Sequence, residues 1–173
     1  MLKGRKALNS IVVGLDPGSR CTGVGVIRED SGCLELLYAG TIRPPAKDPL
    51  AERLGYIFSR TREVLEEYRP QCAAIEDVFT AYNAASALKL GQARGAVVVA
   101  CTSRGIPVHS FQPTLVKKSL VGQGRAGKDQ VAFMVGRLLG ARPDWSQDSS
   151  DALAVAITYL NQKRFVMLST GGK

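Results

Sequence analysis

The sequence predicts an α/β protein: a five-stranded mixed sheet with helices on both faces. Three observations predict it. Three short strand-like runs follow one another across tight turns in the first 42 residues. Two further apolar runs then alternate with helical stretches. Apolar residues make up 45% of the 173-residue chain, enough for one domain with a full hydrophobic core.

Taken in order, residues 1–10 read as a flexible basic leader, 11–164 as a single domain and 165–173 as a C-terminal tail. Ile11-Val12-Val13-Gly14-Leu15-Asp16 is apolar and β-branched, and Pro17-Gly18 stops it, which predicts a buried strand. Residues 22–27 return as a second strand. Asp30-Ser31-Gly32 turns into a third over 34–42, giving an antiparallel meander. Pro44-Pro45 breaks the pattern. Leu50, Leu54, Ile57, Phe58, Val64 and Leu65 then line one face of a helix over 49–68, which Arg69-Pro70 ends. Residues 73–79 form a strand interrupted by Glu76 and Asp77. A long Ala- and Gly-rich helix over 83–104 leads to a fifth strand over 106–111. The last helices fall at 113–120, with Pro113 in the first turn, at 128–139 after the glycine loop 122–127, and at 148–163. Alternating helix and strand after a meander implies the mixed sheet. The lone histidine, His109, is expected in a buried strand with no catalytic role, and Trp145 is read as a packing residue.

Charge narrows the function. With 23 Lys and Arg against 15 Asp and Glu, the net charge is +8. A basic surface suits a polyanion, either nucleic acid or an anionic membrane. No apolar run approaches the roughly 20 residues that span a bilayer, and the short apolar stretch after the basic N-terminus does not make a signal peptide. The chain is placed in the cytoplasm. Cys21, Cys33, Cys72 and Cys101 form no CxxC pair and have one histidine to join them, so neither zinc nor a disulfide framework is expected. They are read as small buried thiols.

Four carboxylates carry the chemistry. Asp16 ends a strand, Glu76 interrupts an apolar run, and Asp148 and Asp151 are three apart at a helix start, hence on one face. Each has an ordinary explanation: a turn-forming Asp-Pro-Gly, a salt bridge to an arginine, a helix-capping acid. Brought together, they would repel one another unless a cation neutralised them. Oxygen-only ligands select Mg²⁺ or Mn²⁺, and such a centre suits phosphodiester hydrolysis. Residues 122–129, Gly-Gln-Gly-Arg-Ala-Gly-Lys-Asp, fit GxxxxGK. However, Asp129 stands where a nucleotide loop needs Ser or Thr, and the preceding residues read as helix. A flexible glycine loop bearing Arg125 and Lys128 better fits contact with a nucleic-acid backbone, the ordinary alternative being a solvated turn between helices. Asp16-Pro17-Gly18 with Gly23 is also similar to the first phosphate motif of actin-like ATPases, which need two such domains, whereas this chain has room for one.

Four motifs occur in order: Gly14-Leu15-Asp16-Pro17-Gly18 with Thr22-Gly23; Ala74-Ile75-Glu76-Asp77-Val78-Phe79; residues 122–131; and Asp148-Ser149-Ser150-Asp151-Ala152-Leu153-Ala154-Val155-Ala156. From about Ile11 to about Gln162 the chain resembles the bacterial RuvC Holliday-junction resolvases of the ribonuclease H-like superfamily. The resemblance implies three antiparallel strands followed by two parallel ones. It also implies a homodimeric, Mg²⁺-dependent endonuclease, with Mn²⁺ substituting. This enzyme would nick two like-polarity strands of a four-way DNA junction symmetrically during recombination and repair, leaving ligatable ends. A preference for a short thymine-containing sequence and partnership with RuvA and RuvB are implied as well. The family's catalytic residues match Asp16, Glu76, Asp148 and Asp151, its important lysines match Lys117 and Lys128, and the aromatic pressed against junction bases matches Phe79.

Ser149-Ser150 stands where the family often has a small apolar pair, and Asp77 where an amide is common. Without the resemblance Phe79 suits a core position; with it, stacking on unpaired bases is favoured, worth about 1–3 kcal/mol per base. Tyr82 fits either role. Small residues on one face of 83–99 suit packing on the sheet or, as the family implies, a two-fold dimer interface. Two alternatives to junction resolution are a ribonuclease H-like nuclease acting on RNA-containing substrates and a non-catalytic junction-binding module.

Overall fold

The computed structural model describes residues 9–77 and 83–170. Most of the expected leader, Phe79, Tyr82 and the last three residues of the tail lie outside the described residues.

The meander forms as expected. Strands β1 (Asn9–Asp16), β2 (Thr22–Asp30) and β3 (Cys33–Ile42) pair antiparallel. Ser31 and Gly32 take φ of 52° and 94° at the β2–β3 turn, the left-handed conformations that a two-residue hairpin loop demands. Then follow α1 (Leu50–Tyr68), β4 (Cys72–Glu76), α2 (Ala84–Thr102), β5 (Val108–Phe111), α3 (Pro113–Val121), α4 (Lys128–Leu139) and α5 (Gln147–Thr170). The sheet order is β3-β2-β1-β4-β5, with β4 parallel to β1 and β5 parallel to β4. This is the predicted fold class: three antiparallel strands, then two parallel ones.

Alternation along the strands sorts the core into two layers. Val13, Leu15, Val24, Val26, Ala73 and Ile75 face α1 and α2, meeting Ile57, Leu65, Ala93 and Val97. Val12, Ile27, Cys72 and Ala74 face the other way, toward α3, α4 and α5. Residues 152–157 of α5 are buried on every side, as an apolar helix in the middle of a layer must be. Trp145 packs against this second layer. The half of α5 beyond it is tied to the sheet by Arg164, whose Nη2 lies 2.8 Å from the buried Glu29 carboxylate.

The structure corrects three expectations. His109 is exposed: β5 is a four-residue edge strand in which Phe111 alone is buried, and the imidazole stacks 4.8 Å from the Tyr159 ring. Cys33 is exposed at the start of β3, while Cys72 and Cys101 are buried. Helix α5 continues past Lys163 to Thr170, because the polar run 161–164 contains no helix breaker. Among the described residues no helix is long and apolar enough to cross a membrane.

A candidate active site at the strand ends

The register of β1 and β4 sets Leu15 beside Ile75. The next residues, Asp16 and Glu76, therefore end two adjacent parallel strands side by side. On the other side of β1, Asp16 pairs with Gly23. Helix α5 starts directly over that row because the row has almost no side chains. A Cβ at Gly23 would sit 1.9 Å from the Asp148 carbonyl oxygen, and one at Gly14 would sit 1.9 Å from that of Ala152. The helix start is fixed in two further ways. Ser146 Oγ accepts the backbone N–H of Ser149 at 3.2 Å, an N-cap bond. The Ser149 hydroxyl donates to the Gly40 carbonyl of β3 at 2.8 Å. Asp148 and Asp151 are thus delivered to the end of the sheet where Asp16 and Glu76 emerge.

The electrostatics tie the four acids together. Burial pushes the Asp16 carboxyl up to about 7, and the charges of Glu76, Asp151 and Asp148 push the same way, against Lys128. Burial also raises Glu76 to about 7, with Asp151 adding to it and Lys128 and Lys117 opposing. Lys117 on α3 and Lys128 at the start of α4 therefore share the neighbourhood of the acids. Arg125 is exposed on the 122–127 loop.

Each acid on α5 is engaged by neighbours. Asp148 Oδ2 accepts from the Cys21 thiol at 3.0 Å and lies 3.7 Å from Arg43 Nη2. Asp151 Oδ1 accepts from Gln147 at 2.9 Å, and its Oδ2 lies 3.6 Å from Lys128 Nζ. Asp77 is drawn away from the cluster by Arg94, at 2.8 Å, and the same Arg94 nitrogen donates to Ser110. With the α5 acids turned to these partners, no three His, Cys, Asp or Glu side chains among the described residues stand at the spacing of a closed metal cage. The donor set nonetheless fits a hard divalent cation. It is made of carboxylate oxygens, two of them fixed at strand ends, and their mutual repulsion is what such an ion relieves.

Two residues of this neighbourhood, Cys21 and Arg43, carry no signal in the sequence. They arrive through the sheet: Thr41 pairs with Gly23 and Gly23 with Asp16, so the chain just past β3 ends beside the acids.

Sheet order and acidic strand ends define the ribonuclease H-like class of nucleases. Residues 12–159 match the family model described as crossover junction endodeoxyribonuclease RuvC. The chain is 52% identical over 163 residues to the RuvC of Nitratidesulfovibrio vulgaris strain DP4, covering 94% of this chain and 98% of the relative. It is 54% identical over 160 residues to that of Oleidesulfovibrio alaskensis, covering 92% and 96%. The solved structure of Thermus thermophilus RuvC in complex with Holliday junction substrate superposes with a TM-score of 0.86 at 36% identity, covering 91% of this chain and 96% of that one. The yeast mitochondrial Holliday junction resolvase Ydc2 shares the fold, with a TM-score of 0.64 at 12% identity. The chain belongs to the RuvC crossover junction endodeoxyribonuclease family.

Proposed function

We propose that this protein resolves four-way DNA junctions by metal-dependent phosphodiester hydrolysis. The observation that carries the reading is the pairing of Asp16 and Glu76 at adjacent strand ends beneath the two acids of α5, in a chain of this family. The comparisons favour neither an RNA-directed nuclease nor a non-catalytic binding module.

Asp16, Glu76, Asp148 and Asp151 would hold the metal, Mg²⁺ with Mn²⁺ able to replace it. Such an ion supplies Lewis acidity toward the phosphodiester when bound. The chain's own residues do the rest. The strand-end acids orient the attacking water, whose oxygen bonds to phosphorus as the bond to the leaving strand oxygen breaks and that oxygen takes up a proton. Lys117 and Lys128 place positive charge beside the phosphate, where negative charge builds up. Arg125 contacts the backbone, and Phe79, by the family pattern, presses on bases at the crossover.

Two symmetric nicks need two sites related by a two-fold axis, hence a homodimer. Ala84, Ala87, Leu88, Gly91 and Gly95 are exposed along α2, opposite its buried face of Ala93, Val97 and Ala100, which supports this stripe as the self-association face. Partnership with RuvA and RuvB, a cytoplasmic location and a single catalytic domain over 11–164 complete the proposal.

Purified protein incubated with a labelled mobile four-way junction should give paired symmetric nicks with Mg²⁺ and none without it. Absence of nicks across a range of junction sequences would overturn the reading. Asp16→Asn should keep junction binding and lose cutting, whereas a pure binding module would be indifferent to it.

A further inference from the structure

Asp148 is held from the meander. Cys21 Sγ and Arg43 Nη2 both engage its Oδ2, at 3.0 and 3.7 Å. The same guanidinium is steadied by its Nε, which donates to Thr41 Oγ1 at 3.2 Å. Its side chain is also 61% exposed. An exposed ion pair of this length is weak and is readily exchanged for a better partner. A strand phosphate is such a partner, because the planar fork of an arginine matches two phosphate oxygens at once.

We propose that Arg43 is a positioning residue that couples metal loading to DNA occupancy. Off DNA it competes with the metal for Asp148. On DNA it moves to a phosphate and frees that carboxylate oxygen. The inference rests on the reading of the four acids as a metal centre. Coupling of this kind is reciprocal: the junction tightens metal binding by the same factor as metal tightens junction binding. Lys128 opposite Asp151 has a similar distance but is already committed to the phosphate, whereas Arg43 has no other assigned task.

The test is Mn²⁺ affinity, read by the electron paramagnetic resonance signal of free Mn²⁺. It is measured without DNA and with a four-way junction carrying cleavage-resistant phosphorothioate linkages. Arg43→Gln should bind Mn²⁺ about 2- to 5-fold more tightly than wild type without DNA, the range set by a weak exposed pair. The gain on adding junction should shrink by a similar factor. In an Asp148→Asn background the same change should leave Mn²⁺ affinity where it is, because the effect passes through that carboxylate. The proposal is overturned if Arg43→Gln binds Mn²⁺ as wild type does. It is equally overturned if the tightening persists in the Asp148→Asn background, which would mark a plain through-space charge effect. Should wild type and Asp16→Asn bind Mn²⁺ alike, the metal-centre reading itself has failed, an outcome separate from either of these.

Discussion

Asp16 is kept in a place that a carboxylate resists. Its ordinary value of 3.8 is raised to about 7 by burial and by three neighbouring acids. A carboxyl raised on folding binds more protons folded than unfolded. Its contribution to stability is therefore fully present below the unfolded value and lost as pH rises through about 7. Without metal, Asp16→Asn should match wild type in melting temperature near pH 4. At pH 8 it should exceed wild type by roughly 2–4 °C, about 1 kcal/mol for a chain of this size. Thermal denaturation across that range decides it, and a variant that melts lower at pH 8 removes the argument. The two serines between the α5 acids divide differently. Ser149 donates to the Gly40 carbonyl, so Ser149→Ala should cost about 1–2 kcal/mol in urea denaturation. The buried Ser150 hydroxyl has no hydrogen-bond partner among the described residues. Ser150→Ala should accordingly be neutral or stabilise by up to about 1 kcal/mol.

Among the elements, the seating of α5 decides whether there is a site. Gly23→Ala places a methyl where the Asp148 carbonyl already is, so the first turn of the helix must lift. Cutting should fall at least about 100-fold, the usual cost of an ångström-scale misplacement. Circular dichroism should show the helices retained, and full activity would refute the close seating. At the other end of α5, Arg164→Met leaves Glu29 buried without its partner, a loss of about 3 kcal/mol at neutral pH. The elements were largely legible beforehand. Strand β1 announced itself by a β-branched run ending in Asp16-Pro17-Gly18, and α1 by its spacing of Leu54, Ile57 and Leu65. The acids stood out because a glutamate inside an apolar run must be paired, neutral or bound to a cation, although a salt bridge to an arginine would explain Glu76 alone. What the chain order hid was lateral. That β5 lies at the edge, leaving His109 exposed, depends on sheet order. That Arg43 and Cys21 meet Asp148 depends on the end of β3 and the start of β2 lying level with the end of β1, a matter of register and not of composition. The true end of α5 was hidden by a polar run, 161–164, whose Asn161, Lys163 and Arg164 bond to Ser119, Ser10 and Glu29 and so hold the helix onto the fold.

At the scale of the whole molecule, the net charge of +8 should make junction binding strongly salt-dependent. The logarithm of the association constant should fall linearly with the logarithm of salt concentration, since each neutralised phosphate releases a counterion. The exposed stripe on α2 offers a sharper test. A Cβ at Gly91 meets nothing within 4 Å, so Gly91→Glu should leave the fold intact while placing like charges against each other across a two-fold axis. With the proposed self-association through α2, sedimentation should shift from dimer toward monomer, and junction cleavage from paired nicks toward single ones. A dimer undisturbed by this change would place the interface elsewhere.

The glycine notch on β1 and β2 also bears on synthesis. Two of the four acids belong to β1 and β4, and the other two to α5, which is synthesised after both strands. On the proposed function, a chain made only as far as β5 carries half of the metal-binding acids and should be harmless to the chromosome until α5 is seated.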